Sequence, residues 1–245
     1  MAKTVVAHPP ERPETPVMVD GDEFFLHTPT VQAFIARARR VLAGHTDLRA
    51  ALDALRPHFE TLLADPTWLP DRYAQPGPSR GAGGGIEQWL LFRAADRSLT
   101  LFSLVVPPWE STPVHDHLTW GLVGLYRGRQ EELVYRRVDD GADPTHATLE
   151  LTARRTLRPG DVYQLMPPAE DIHAVSTISA RPSISIHLLG RDMGSILRHV
   201  FEPHRRRVRP FQSSYSNTPP LPQGVWGRGP REDRLPLSLG KGGRG

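Results

Sequence analysis

The sequence of 245 residues contains no cysteine and no apolar run long enough to span a membrane. Without cysteine the chain can form no disulfide, no thiolate metal site and no cysteine nucleophile. A membrane-spanning helix needs about 18 consecutive apolar residues, and the first residues also lack the apolar segment of a signal peptide. We therefore expect a cytoplasmic protein with no membrane partner.

The net charge of +3 comes from one segment of the chain. Residues 218–245 contain five basic and two acidic residues, together with five prolines and seven glycines. Residues 1–217 therefore carry no net charge, so no nucleic-acid partner is expected. A segment of this composition buries too little apolar surface to fold alone. We expect a disordered, basic Pro/Gly-rich tail over 218–245 and a disordered, proline-rich arm over 1–22.

Hydrophobic periodicity divides the remaining domain, residues 23–217, into a helical part and a β-rich part. Apolar residues recur at helical spacing from Thr30 to Leu42, and again from about Asp47 to Asp65. After Gly85 the period changes to two, as in strands. Short β-like stretches recur near 99–106, 114–118, 120–126, 131–138, 147–152, 161–166, 173–178 and 183–189. The pattern predicts a mainly β sandwich or barrel preceded by two or three α-helices.

Two histidines separated by one residue, His115 and His117, form the most informative local motif. In a strand, residues i and i+2 point to the same face about 7 Å apart, so the two imidazoles could chelate one metal ion. Pro113 before the pair and Gly121 after it are typical of a turn that enters a strand. The alternative is an incidental polar pair on a solvent-exposed face.

A second motif supplies a third candidate ligand. The turn Pro159-Gly-Asp161 opens a predicted strand, Pro167-Pro168 closes it, and His173 begins the next strand. Because both motifs lie among predicted strands, we expect His173 to join the HxH pair inside the barrel as a three-histidine metal site.

The HxH pair followed by this PGD…PP…H segment resembles the cupin superfamily, whose fold is the double-stranded β-helix. The run Pro113-Val-His-Asp-His-Leu-Thr-Trp-Gly-Leu-Val-Gly-Leu-Tyr-Arg-Gly128 resembles the thiol dioxygenases, the group of cysteine dioxygenase and 3-mercaptopropionate dioxygenase. Asp171-Ile-His173 and Ser185-Ile-His187 are similar to that group too, and the resemblance covers roughly residues 47–217. It implies a jelly-roll barrel and a mononuclear non-haem iron dioxygenase that adds O2 to the sulfur of a small thiol, giving a sulfinate.

The resemblance also implies that His115, His117 and His173 hold Fe(II). Many cupins add a glutamate four or five residues after the HxH pair, but Gly121 and Leu122 occupy those positions here. The inferred site is then three neutral imidazoles, which leave room for a thiolate and for dioxygen. Imidazole suits ferrous iron, whereas three histidines with water are also an arrangement that zinc adopts. Iron is favoured over zinc chiefly by the resemblance.

Ser185 and His187 are the catalytic residues that the resemblance implies. The family has a Ser-x-His-x-Tyr run, whereas this chain reads Ser185-Ile-His187-Leu-Leu189. A leucine thus replaces the phenol that orients substrate or donates a proton, which predicts a larger, more apolar substrate than cysteine or 3-mercaptopropionate. Another tyrosine, Tyr163 or Tyr215, could reach the site from elsewhere in the chain.

Two further residues are candidates for binding an anionic substrate. Gln88 falls near the position where mercaptopropionate-type enzymes have a glutamine and cysteine dioxygenases have an arginine. Arg198 matches an arginine that steadies the site in the mercaptopropionate type, and its alternative is a helix-surface arginine. A second class of function also remains open, a cupin that binds a small molecule without turnover and holds zinc or no metal.

Overall fold

Residues 13–77 and 85–219 are described in this computed structural model, with two α-helices and thirteen strands. The helices are α1 (Pro29–Ala43) and α2 (Leu48–Ala64), and both confirm the helical periodicity of the sequence. Each begins at a capping side chain, Thr28 for α1 and Asp47 for α2, which accepts a hydrogen bond from a main-chain N–H of the first turn. Among the described residues, neither helix combines the length and hydropathy that crossing a membrane requires.

The strands form two antiparallel sheets. They are β1 (Val17–Val19), β2 (Asp22–Phe24), β3 (Glu87–Arg93), β4 (Thr100–Val106), β5 (Val114–His115), β6 (Gly121–Arg127), β7 (Gln130–Arg137), β8 (Leu149–Leu157), β9 (Val162–Leu165), β10 (Ile172–Thr177), β11 (Ser183–Leu189), β12 (Arg198–Glu202) and β13 (Arg207–Phe211). Sheet I has the order β1-β2-β3-β4-β11-β6-β9, and sheet II the order β13-β12-β5-β10-β7-β8. From β4 to β12 the chain passes repeatedly between the two sheets, which is the jelly-roll arrangement of a double-stranded β-helix. The predicted fold class is confirmed.

Sheet I has one face covered by the helices and the other turned towards sheet II. Gly124 of β6 lies directly under α2: a Cβ at this position would be 2.3 Å from Leu63 Cδ1, so a residue without a side chain is required. Because side chains alternate along a strand, Ile186 and Leu188 of β11 join the core under the helices, while Leu189 packs in the cluster between the sheets. His187 shares the inward face with Leu189.

Strands occur before residue 23, within the segment that the sequence assigns to the N-terminal arm. Residues 17–24 form the hairpin of β1 and β2, and β2 pairs with β3. Ahead of it, the main-chain N–H of Glu14 donates to Asn217 O at 2.9 Å. These contacts join segments far apart in the sequence, so local composition does not reveal them. Residues 1–12 of the predicted arm and 220–245 of the predicted tail lie outside the described residues.

Candidate metal centre

The three histidines that the motifs singled out lie together inside the barrel. His115 ends β5 and pairs directly with His173 of β10, and His117 follows two residues later. The ring centroids are 4.8 to 5.0 Å apart, and one nitrogen from each ring lies within 4.8 Å of the other two. The side chains are buried, at 4%, 2% and 2% exposure. Such a cluster could hold one metal ion.

His117 lies in the irregular segment after β5 rather than in the strand that the sequence predicts over 114–118. This segment is held by Asp171, whose carboxylate accepts hydrogen bonds from the main-chain N–H groups of His117 at 2.9 Å and Leu118 at 3.0 Å. After β5, these main-chain N–H groups thus donate to a side chain and not to a neighbouring strand. Burial raises the pKa of Asp171, while the same N–H donors lower it.

Each of the three rings is held through its Nδ1 atom. His115 Nδ1 lies 2.9 Å from the carbonyl oxygen of Pro113, and His173 Nδ1 lies 2.9 Å from Oε1 of Glu132. His117 Nδ1 is 3.4 Å from the carbonyl oxygen of Asp171. Because carbonyl and carboxylate oxygens accept, Nδ1 carries the proton and the lone pair is on Nε2. This is the arrangement that orients histidines towards a metal.

The electrostatics of the cluster also fit a metal cation. Burial lowers the pKa of His115 and of His117 well below its usual range, and the neighbouring His173 and Arg198 lower it further. Neutral imidazole is the form that binds metals. The donor set therefore fits a divalent transition metal that prefers nitrogen ligands.

Ser185 and His187 lie on β11, on the face of sheet I that is turned towards the histidine cluster. Ser185 Oγ is 3.0 Å from His187 Nε2, and the imidazole stacks on Phe102 at a centroid distance of 4.7 Å. His187 Nδ1 is buried and has no hydrogen-bond partner among the described residues. Burial lowers the pKa of His187 well below its usual range, and the neighbouring His117 and His173 lower it further. The ring is therefore neutral.

Two further side chains at the cluster come from β7 and β9. Glu132 is 1% exposed, and its carboxylate contacts both His173 and Arg155. Tyr163 packs its ring edge-on to His173 at 6.0 Å, and burial followed by the Glu132 charge raises its pKa well above the usual range. Glu132 was missed from the sequence. The available signal was the consecutive pair Glu131-Glu132, since one of two neighbours in a strand must point inward.

The residues predicted to bind substrate are all buried, and they come from different elements of the fold: Gln88, Leu189, Arg198 and Tyr215. Gln88 of β3 lies in the same cross-strand row as Leu104 and Ser185, and its Oε1 has no partner among the described residues. Tyr215 packs against Phe102 at 5.7 Å.

Leu189 fills the space above a glycine. A Cβ on Gly121 would lie 2.3 Å from Leu189 Cδ2. Glycine in β6 therefore makes room for the leucine of β11.

Arg198 lies in β12 and is a buried cation, not a surface residue. Its Nη1 donates to Asp116 O at 2.7 Å and its Nη2 to Ser213 Oγ at 2.9 Å, while the guanidinium lies over the Phe211 ring. Burial lowers its pKa to about 10. Within the described part of the chain no carboxylate forms an ion pair with it. A buried cation without a carboxylate partner favours an anion nearby.

The sheets and the inward-facing histidines define a double-stranded β-helix domain with a candidate metal centre. No protein-family profile matches this chain. Solved structures that resemble it are cupin-domain proteins. One is the cupin domain of Cnp3 from Schizosaccharomyces pombe, at 12% identity and a TM-score of 0.34, covering 44% of this chain and 61% of that domain, less than two thirds of its length.

Two further neighbours are bacterial. A cupin-2 domain from Rhodospirillum rubrum has 15% identity and a TM-score of 0.34, covering 47% of this chain and 67% of that one. The DMSP lyase DddQ from Ruegeria pomeroyi DSS-3 has 17% identity and a TM-score of 0.39, covering 72% of this chain and 98% of that one. These identities and TM-scores are too low to transfer any activity to this chain.

Proposed function

We propose that this protein is a mononuclear non-haem Fe(II) dioxygenase that adds both atoms of O2 to the sulfur of a small thiol, giving a sulfinate. The observation that carries the proposal is a cluster of three buried histidines, His115, His117 and His173, opposed by the Ser185–His187 pair. This is the residue set on which the resemblance to thiol dioxygenases rests. The reaction balances as RSH + O2 giving RSO2H, with no external reductant.

His115, His117 and His173 would hold ferrous iron, and the chemistry that iron would supply there is thiolate binding and dioxygen activation. Imidazole ligands carry no formal negative charge, so a metal cation at the cluster favours an anionic substrate over a neutral one. The buried guanidinium of Arg198 adds to this preference, because among the described residues no carboxylate pairs with it. The chain's own charges thus lower the cost of placing a thiolate in a dry interior.

His187 is the residue that we assign to orienting the thiol. Ser185 Oγ holds the ring through Nε2, and Nδ1 is buried and has no hydrogen-bond partner among the described residues. If Nε2 donates to Ser185, Nδ1 carries the lone pair and can accept a hydrogen bond from the thiol. The stacked ring of Phe102 keeps the imidazole in this orientation and excludes water.

The apolar interior favours a thiol larger and more apolar than cysteine. Leu189 takes the place of the family's phenol and joins an apolar cluster with Leu165 and Tyr163. Apolar burial contributes about 25 cal/mol per Å2 to binding. An alkyl or aryl thiol therefore gains binding free energy from its apolar surface, whereas a zwitterionic thiol does not. The competing function, a cupin that binds a small molecule without turnover, is distinguished by the experiment that follows.

The test is oxygen consumption by protein purified without chelators from iron-supplemented cells. We expect thiol-dependent O2 uptake, a sulfinate product detected by mass spectrometry, and no uptake by His173→Ala. The alanine variant of His146, a histidine outside the cluster, serves as the control and should behave as wild type. Bound zinc with no thiol-dependent uptake after reconstitution with iron would support the non-catalytic function instead.

A further inference from the structure

A groove runs between α2 and the strands β8 and β9. Its volume is about 710 Å3, within the range of small-molecule sites. One stripe of α2 lines it, because Arg49, Asp53, Arg56 and Glu60 follow the spacing i, i+4, i+7 and i+11. The opposite wall includes Arg155 of β8. The groove is thus lined by charged side chains on both sides.

The position of the groove follows from the sheet topology. Sheet I ends on β9 and sheet II ends on β8, so the double-stranded barrel is open between these two edge strands. Tyr163 of β9 lies at this opening and also packs against His173. The groove therefore leads to the gap through which the barrel interior can be reached.

A small cavity between the groove and His173 forms a narrow neck. It has a volume of about 10 Å3, is lined by Glu132 and His173, and shares Arg155, Tyr163 and Gln164 with the groove. This volume suits about one water molecule. Entry of a substrate therefore requires movement of the side chains at the neck, and Arg155 is the long, flexible one among them, with its side chain 44% exposed.

We propose that this groove is the path by which substrate reaches the metal centre, and that Arg155 binds the carboxylate of a thiol that carries one. The inference rests on the proposed function, and it names the substrate class as ω-mercaptocarboxylates with an apolar stem. Their sulfur would pass the neck while the carboxylate stays at the guanidinium.

Among the arginines that line the groove, Arg155 is the one whose guanidinium can bind a substrate carboxylate. Within residues 13–77 and 85–219 its guanidinium makes one ion pair, at 3.4 Å to Glu132, and guanidinium offers five N–H donors. The Glu132 carboxylate is shared with His173, so it does not fully neutralise Arg155. The other two groove arginines have acidic partners of their own, Arg49 with Glu170 and Arg56 with Glu60.

The half-buried Gln164 supplies a second polar contact at the neck. Its Nε2 donates to Asp53 Oδ1 at 2.7 Å, which fixes the amide across the groove. Its Oε1 is buried and has no partner in the described part of the chain. An acceptor in this position can take an N–H or O–H donor from the substrate stem.

The binding test uses the cobalt(II)-loaded full chain with 6-mercaptohexanoate and its neutral counterpart 6-mercaptohexan-1-ol. Thiolate binding to cobalt is followed by the charge-transfer absorbance, which does not require turnover. Arg155→Gln should weaken 6-mercaptohexanoate binding about tenfold to hundredfold and change 6-mercaptohexan-1-ol binding less than about twofold. Arg154→Gln is the matched control, because Arg154 is its neighbour in β8, has a similar exposure and pairs with Glu131.

The outcomes separate this inference from the proposed function. Equal weakening of both thiols in Arg155→Gln, or of neither, would overturn the role of Arg155. If the wild-type protein shows no thiolate band with either thiol, the proposed function fails as well.

A blocking experiment tests the path itself. Since the chain has no cysteine, Arg56→Cys can be alkylated at one position with a bulky maleimide, and Ala54→Cys, an exposed position of α2 outside the groove lining, is the control. The label at 56 should slow the appearance of the thiolate band at least about tenfold while metal content is unchanged. Equal rates for the two labelled proteins would contradict entry through the groove.

Discussion

Replacing Glu132 by glutamine should weaken metal binding without unfolding the domain. The carboxylate is 1% exposed and lies 2.9 Å from His173 Nδ1, so it fixes the ring and makes Nε2 a stronger donor. Loss of such a partner costs about tenfold to hundredfold in metal affinity, or about 1.4 to 2.7 kcal/mol. Glutamine keeps an oxygen acceptor of the same reach, so we expect metal affinity to fall about tenfold. Glu132→Ala removes the acceptor, so we expect metal affinity to fall about hundredfold.

The assay is competitive metal titration of the purified apoprotein against a chromogenic chelator. Glu131→Gln is the control, because Glu131 precedes Glu132 in β7, points to the opposite face and pairs with Arg154. It should leave the dissociation constant unchanged. Equal affinity in wild type and Glu132→Ala, with both proteins folded by circular dichroism, would refute the assignment of Glu132 as the partner of a metal ligand.

Three other predictions follow from the site and the fold. Alanine at any one of the three candidate ligands should remove most of the bound metal while the circular dichroism spectrum is unchanged, and full occupancy in His173→Ala would exclude that residue as a ligand. Leu189→Tyr should lower the free energy of unfolding by about 1–3 kcal/mol, because the larger side chain overpacks the space above Gly121. The same variant should raise the ratio of kcat/KM for small thiols to kcat/KM for bulky thiols about tenfold. Efficient turnover of 3-mercaptopropionate by the wild type would contradict the reasoning. Arg39→Met should destabilise the protein at pH 7, because the hydrogen bond from Arg39 lowers the pKa of Asp22. That stabilisation is present above the unfolded pKa of about 3.9 and is lost as pH falls through the lower folded value. The gap between the urea midpoints of the two proteins should therefore narrow below about pH 3.9, and a constant gap would refute the linkage.

The elements that were predictable from sequence are those set by local pattern. The two helices follow from apolar spacing and from caps at Thr28 and Asp47, and the strands from alternation interrupted by turn residues. The hairpin over residues 17–24 was not predictable, because its pairing with β3 and the contact of Glu14 with Asn217 join distant segments.

In the candidate site, too, residues in a local motif were predictable and residues positioned by long-range strand pairing were not. The HxH pair is local and was recognised, whereas the convergence of His173 rested on the strand context of both motifs and on a resemblance. Glu132 was missed because its role depends on the register between β7 and β10, which pairs residues about forty positions apart. The burial of Arg198 likewise depends on the pairing of β12 with β5. Long-range register is what single-sequence reasoning lacks.

The most direct test of the central claim is turnover of an apolar thiol under 18O2 by the iron-loaded wild-type protein. A dioxygenase that transfers both atoms of O2 to sulfur predicts a sulfinate carrying two heavy oxygen atoms. A product with one heavy oxygen or none, or the absence of any thiol-dependent product from protein with iron at its three histidines, would contradict the account.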